Sequence, residues 1–114
     1  MNNDSIIQKA YDFLKEMIPT INRFPKHQRF LVGDKMQSLI IYILETFIEA
    51  YYLPQAEKKA KLLKANVELE KMRFFLRLGY DLGFYHSNRY KQLIEKVDEL
   101  GRMTGGWLKS LDKN

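Results

Sequence analysis

Apolar residues recur along this chain at three- and four-residue intervals, and no stretch of any length alternates as a half-buried strand would. In the first segment, about Asp4 to Arg23, the recurring positions are Ile6, Ala10, Phe13, Met17 and Ile21. Asp4 and Ser5 stand before them as candidate helix caps. Pro19 falls inside the segment and is expected to kink or end it. The second segment runs from about Lys26 to Leu53. Projected on a helix, Asp34, Ser38, Glu45 and Glu49 occupy one narrow stripe, and apolar side chains from Leu39 to Tyr51 fill most of the rest. A helix apolar on more than one face belongs in a larger core than a chain of 114 residues builds, so part of this surface is expected to meet another copy or a partner.

Pro54 opens the third segment, which extends to about Gly83, with Leu62, Leu69 and Leu76 marking its core side. Lys58, Lys61, Lys64 and Lys71 lie away from those leucines, and Lys59, Asn66, Arg73 and Arg77 form a second polar stripe. In an antiparallel hairpin turning near Pro54, residues at one level have position numbers of constant sum. Asp34 with Arg77, Ser38 with Arg73 and Glu45 with Asn66 share one such sum, which predicts a polar seam between the two helices. The turn "GFYHSN" leads to a fourth helix, Asn88 to about Lys109, with Ser87 as its expected cap. Leu93, Val97, Leu100, Thr104, Leu108 and Leu111 form its apolar face. Lys91 with Glu95 and Asp98 with Arg102 stand one turn apart on the other side.

Short connections and amphipathic helices of these lengths predict an all-α fold, an up-down antiparallel four-helix bundle in a single domain over 1–114, with helices at about 4–23, 26–53, 55–83 and 88–109. The stretch "GRMTGGWLKS" at 101–110 strains that reading, because each interior glycine costs a helix roughly 0.5–1 kcal/mol against alanine. Gly101 falls in the middle of the apolar face, where a missing side chain admits another backbone. Gly105 lies at its rim, Gly106 on the solvent side, and Trp107 returns to the rim.

Composition narrows the function classes. The chain has no cysteine, which excludes disulfides and thiolate chemistry and suits an intracellular, cytoplasmic protein. "MNNDSIIQKAYD" lacks the basic-then-apolar order of a signal peptide, and the longest apolar run, "LIIYIL", is too short to span a membrane. His27 and His86 are isolated, with no second ligand at a helical metal spacing, so no metal or cofactor is expected. Glu45 and Glu49 are read as part of the seam in preference to a catalytic pair, and the chain is not expected to be an enzyme. The net charge is +5 with a pI near 9.4. Its excess lies in the C-terminal half, since residues 54–83 hold seven basic groups against four acidic, and 84–114 six against four. With Arg23, Lys26 and Arg29 gathered at one turn, phosphate binding becomes credible, although a solvated lysine face is the competing reading. No base-reading motif is present, so such contacts would be to backbone and strongly salt-dependent.

"RFPKHQRFLVGDKMQSLIIYILETFIEAYY" at 23–52, "FFLRLGYDLGFYHSNRY" at 74–90 and "ELGRMTGGWLKS" at 99–110 closely resemble the accessory variability determinant (Avd) family of diversity-generating retroelements. The match covers nearly the whole chain in the family's order. The same four-helix-bundle superfamily includes small proteins encoded in intervening sequences of large-subunit ribosomal RNA genes, and the "GGWLK" ending favours the retroelement branch. The resemblance implies a non-catalytic partner of a reverse transcriptase. It implies a ring-shaped homo-oligomer, a pentamer, that binds the enzyme and its template RNA through a basic surface and supports mutagenic cDNA synthesis. On charge and expected exposure the binding residues are Arg23, Lys26, Arg29, Lys58, Lys61, Lys64, Lys71, Arg102 and Lys109, with Arg73 and Arg77 left to the seam. The alternatives are a bundle protein of the ribosomal intervening-sequence type and a purely structural helical oligomer.

Overall fold

A computed structural model describes residues 3–112, and these form α-helices with no strand among them. The first helix, α1, spans Asn3–Asn22. It continues through Pro19, so the proline does not end the helix; Pro19 and Lys15, whose carbonyl the missing N–H leaves without a partner, are both exposed. Ser5 lies within the helix and does not cap it, and the side chain of Asp4 lies outside the described residues. The second predicted segment is divided into a single turn α2 (Lys26–Gln28), a π-helical turn Arg29–Gly33, and α3 (Asp34–Tyr52). Backbone angles remain right-handed helical across both joins, at Gln28, Arg29, Gly33 and Asp34. The path is therefore one helix with a widened turn.

The longest helix, α4, covers Gln55–Asp81, and α5 covers Ser87–Asp112. Helix α4 ends in a Schellman motif: Gly83 takes φ +80°, its N–H donates to the Tyr80 carbonyl, and the Phe84 N–H donates to the Gly79 carbonyl. Only a glycine takes that φ without strain. The first bond of α5 runs from the Tyr90 N–H to the His86 carbonyl, so the cap falls one residue before the expected Ser87.

Helix α3 packs on α4, α4 on α5, and α1 on both α3 and α5, which closes a cycle around one core. Ile6 and Met17 of α1, Met36 and Phe47 of α3, Leu62 and Leu76 of α4, and Leu93 and Val97 of α5 are all buried there. Each is one of a three- or four-spaced series in its helix, so the periodicity in the sequence is the core read along one edge. Trp107 is 1% exposed. It belongs to the core and not to its rim.

Candidate nucleic-acid interface

The connection after α1 is built to present cations. Hydrogen bonds from the Arg23 N–H to the Thr20 carbonyl and from the Phe24 N–H to the Ile21 carbonyl close the helix. Phe24 then turns inward, its ring 4.5 Å from that of Phe84. Pro25, with φ −53° and ψ 145°, starts the next helix. Anchored by that inward phenylalanine, Arg23 and Lys26 are exposed on either side of it. Arg29 is half-buried, and its Nη1 donates to the Asn22 carbonyl at 3.4 Å, tying the start of the π turn to the end of α1.

The π turn itself directs Gly33 into the bundle and Phe30 and Leu31 outward, at 65% and 74% exposure. A Cβ on Gly33 would lie 2.7 Å from Ile21 Cγ2, so glycine is what lets the two helices meet at that point. Residues 23–31 contain three basic groups and no acidic one. Widened turns of this kind often mark functional sites in helices.

The lysines of α4 divide by role. Lys58 is half-buried: its Nζ donates to the Ala50 and Tyr51 carbonyls at 2.7 and 2.8 Å and sits 5.9 Å from the centre of the Trp107 ring. It caps the C-terminus of α3, where the last carbonyls need a donor and the helix dipole favours a cation. Lys61 is paired with Glu49 at 3.1 Å, and Lys71 with the buried Glu68 at 3.1 Å. Lys64 is exposed with its Nζ 5.9 Å from the Tyr42 ring centre. Arg102 and Lys109 are exposed on α5, and no ion pair engages either among the described residues.

These nine residues do not form one patch. Arg23, Lys26 and Arg29 share an end of the bundle with the α4–α5 turn, as the contacts of Phe24 with Phe84 and of Arg89 with Glu16 and Thr20 show. Lys58 and Lys109 belong to the other end, where Gln55 bonds the Leu111 carbonyl and Lys59 pairs with Asp112. The molecule is 48 Å long between those ends.

The expected seam is corrected in its arginines. Arg73 Nε binds Asp98 on α5 at 2.9 Å and its Nη1 binds Glu70 at 3.4 Å, while Arg77 pairs along its own helix with Asp81 at 3.7 Å. Neither reaches Ser38 or Asp34. The constant-sum rule sets the level of a residue along the hairpin but not its direction around the helix axis, and Arg73 points toward α5. Asp98, expected to pair with Arg102, is taken by Arg73 for the same reason. Ser38 instead borders a shallow groove with Lys35, Tyr42, Lys64 and Glu68, whereas Asn66 and Arg73 border one with Asp98 and Gly101. Asp34 and Glu45 are exposed, with no ion pair among the described residues. The glycine question is answered in part: a Cβ on Gly101 would lie 2.8 Å from Arg73 Nη2, whereas one on Gly105 would meet nothing within 4 Å.

Two features escaped the sequence reading. Glu16 holds Arg89 at 2.8 Å and Lys96 at 3.2 Å, an ion cluster joining α1 to α5 that no local motif announces. Tyr85 donates its hydroxyl to the Leu76 carbonyl near the end of α4, and Gly79 makes room for its ring. Burial, and secondarily the neighbouring Tyr90, push the Tyr85 hydroxyl far above its ordinary pKa. The signal for it was Gly79 in "LGYDLGFY", since a glycine inside a helix can mark a close approach without saying what approaches, whereas Gly83 marks the helix end. No cluster of metal-ligating side chains occurs among the described residues, and none of their helices is long and apolar enough to cross a membrane.

The family model described as bAvd-like matches residues 5–111 of the chain. Comparison with curated proteins gives no match. The family match agrees with the resemblance carried by the three segments quoted above.

Proposed function

The chain belongs to the bAvd-like family, and from that premise we propose that it is the non-catalytic accessory protein of a diversity-generating retroelement. In this role it binds the reverse transcriptase and its template RNA through a basic surface and supports mutagenic cDNA synthesis. The observation that carries the reading is the acid-free run at 23–31, whose exposed Arg23 and Lys26 stand beside the outward Phe30 and Leu31. Cations there meet phosphates, and the exposed aromatic ring offers a stacking surface to an unpaired base. Lys64, Arg102 and Lys109 extend the positive field along the bundle, and Lys58, Lys61 and Lys71 contribute mainly through the contacts that hold them.

On the same reading the helices form an up-down antiparallel bundle in one domain, supported by pairs whose numbers rise on one helix as they fall on the other, Lys9 with Glu99 and Glu16 with Arg89. The protein acts in the cytoplasm as a homo-oligomer, a pentamer, that brings enzyme and template together without chemistry of its own.

The test is the double variant Arg23→Glu/Lys26→Glu. Both sites are exposed, so the helical circular dichroism signal and melting temperature stay as in the wild type. Affinity for template RNA is expected to fall at least about tenfold, and the slope of log affinity against log salt to flatten by about 1.4, as for two lost contacts to single-stranded phosphates. An unchanged affinity and slope would remove this surface from RNA binding. Unchanged cDNA synthesis in a reconstituted reaction would remove it from the enzyme's support as well.

A further inference from the structure

The end of the bundle that carries Arg23 and Lys26 also holds a series of near-parallel tyrosine rings. Tyr80, in the last turn of α4, stacks on Tyr90 of α5 with ring centres 4.9 Å apart and planes 9° from parallel. Tyr90 lies 6.5 Å from Tyr85 at 11°, and Tyr85 lies 6.2 Å from Phe24. The inner rings serve packing: Phe24 is buried, Tyr85 and Tyr90 are half-buried, and the Tyr85 hydroxyl is tied to the Leu76 carbonyl. Tyr80 differs from them. One face of its ring lies on Tyr90, yet 40% of the residue is exposed, so the exposed area falls on the outer face and edge. An ordered aromatic series thus ends at the surface in an open π face.

Free carboxylates are scarce around that ring. Residues 82–94, the α4–α5 turn and the start of α5, contain Arg89 and Lys91 and no acidic group, as does the run at 23–31 with its own three cations. Glu16 engages Arg89, whereas Lys91 is exposed with no ion pair among the described residues. Asp81 pairs with Arg77 at 3.7 Å, and Glu70 and Asp98, further along the α4–α5 groove, both bind Arg73. Glu95 borders the α1–α5 groove with Lys9 and Lys96, on another flank of α5, and Asp34 is on α3, on neither helix of this groove.

We infer that Tyr80 is the stacking platform for an unpaired base of an RNA strand whose phosphates run toward Arg23 and Lys26. The inference rests on the RNA-binding reading above and gives that surface a preference for single strands. Single-stranded RNA is held by a cationic track with aromatic faces on which its bases stack, whereas a duplex keeps its bases stacked on one another. The rings join the two parts here: Phe24 stands between Arg23 and Pro25-Lys26, and Tyr80 is reached from it through Tyr85 and Tyr90 in steps of no more than 6.5 Å. Phe30, the other exposed aromatic at this end, stacks on no ring among the described residues. Tyr80 is fixed by Tyr90 beneath it, so a base that stacks on it has less side-chain freedom to remove.

The experiment measures binding of full-length wild type, Tyr80→Phe, Tyr80→Leu and Tyr80→Ala to single-stranded oligoadenylate and to the same strand annealed to oligouridylate, with circular dichroism as a folding control. Tyr80→Phe keeps the ring and is expected to bind as wild type. Tyr80→Leu and Tyr80→Ala should lose at least about fivefold in affinity for the single strand, the weaker end of what one lost base stack costs. Their salt slope and their affinity for the duplex should stay as in wild type, because no phosphate contact is removed. Unchanged single-strand affinity, or an equal loss on single strand and duplex, would overturn the stacking role and leave the basic-surface reading standing. A wild type that binds neither strand at low salt would overturn both. Tyr80→Leu keeps an apolar cover on Tyr90 and decides the question if the alanine variant loses its helical signal. Tyr80→Trp supplies an independent readout: its emission should be quenched by the single strand and not by the duplex, while wild-type emission, from Trp107 at 1% exposure, should not change. Absence of that quenching at saturating single strand would also overturn the assignment.

Discussion

Lys58 offers the sharpest separation of structure from function, because charge alone nominates it for binding and geometry gives it a structural task. Lys58→Met keeps most of the aliphatic stem and removes the ammonium. It leaves the Ala50 and Tyr51 carbonyls, at the end of α3, without their donor. The bond to Ala50 is part-buried and that to Tyr51 exposed, so the first is assigned about 1.5 kcal/mol as a charged hydrogen bond and the second about 0.5 kcal/mol. The Trp107 contact, with Nζ 5.9 Å from the ring centre, adds about 0.5 kcal/mol. These terms overlap, and a total loss of about 2 kcal/mol is expected, a fall in melting temperature of roughly 6–12 °C for a chain of this size. The assay is urea unfolding followed by circular dichroism at one protomer concentration, so that association does not alter the comparison. A change below about 0.5 kcal/mol with an unaltered m-value would refute the capping argument, and a loss of RNA affinity at full stability would return Lys58 to the binding surface.

Three further outcomes follow from the α4–α5 turn and the core. Tyr85 is protonated in the fold at pH values where an unfolded tyrosine ionises, so its contribution is complete below about pH 10 and declines as pH rises above that, by up to about 1.4 kcal/mol per pH unit. Tyr85→Phe should lower stability by about 1 kcal/mol at neutral pH and flatten the alkaline limb of a stability profile; an unchanged limb would exclude the hydroxyl as its source. In Gly79→Ala the new methyl would lie 2.8 Å from Tyr85 Cζ, in a ring held by its bond to Leu76, and a loss of about 1–3 kcal/mol is expected from denaturant titration. Trp107→Ala should cost about 3–5 kcal/mol and lose its fluorescence with the core it fills; a cost under about 1 kcal/mol would place the indole at the surface.

Periodicity along the chain places most of the core and roughly each helix, with Trp107, expected at the rim, the exception. Ile6 through Ile21, Leu62 through Leu76 and Leu93 through Leu100 are buried at the spacing that their polarity announced, because a helix has one repeat and a core rewards every residue that keeps it. The same patterning showed more apolar surface on the second segment than one bundle covers, and the quoted motifs were enough to reach the family. The π turn was not legible, since Arg29–Gly33 carries no composition that distinguishes it from an α-helical turn; packing of Gly33 on Ile21 accompanies it.

Direction around each helix axis, and the partner met there, came from the packing of the helices against one another. Level along the hairpin offered Ser38 to Arg73 and helical spacing offered Arg102 to Asp98, yet Arg73 lies on the side of α4 that meets α5 and binds Asp98 there. Charge placed Lys58 and Lys64 in one class, yet a free α3 terminus lies beside Lys58, whereas Lys64 is left exposed beside Tyr42. Helical periodicity repeats every few residues and can be read along one segment, but an ion pair or a cap joins residues from different segments, and its energy depends on distances that exist only once the helices have packed.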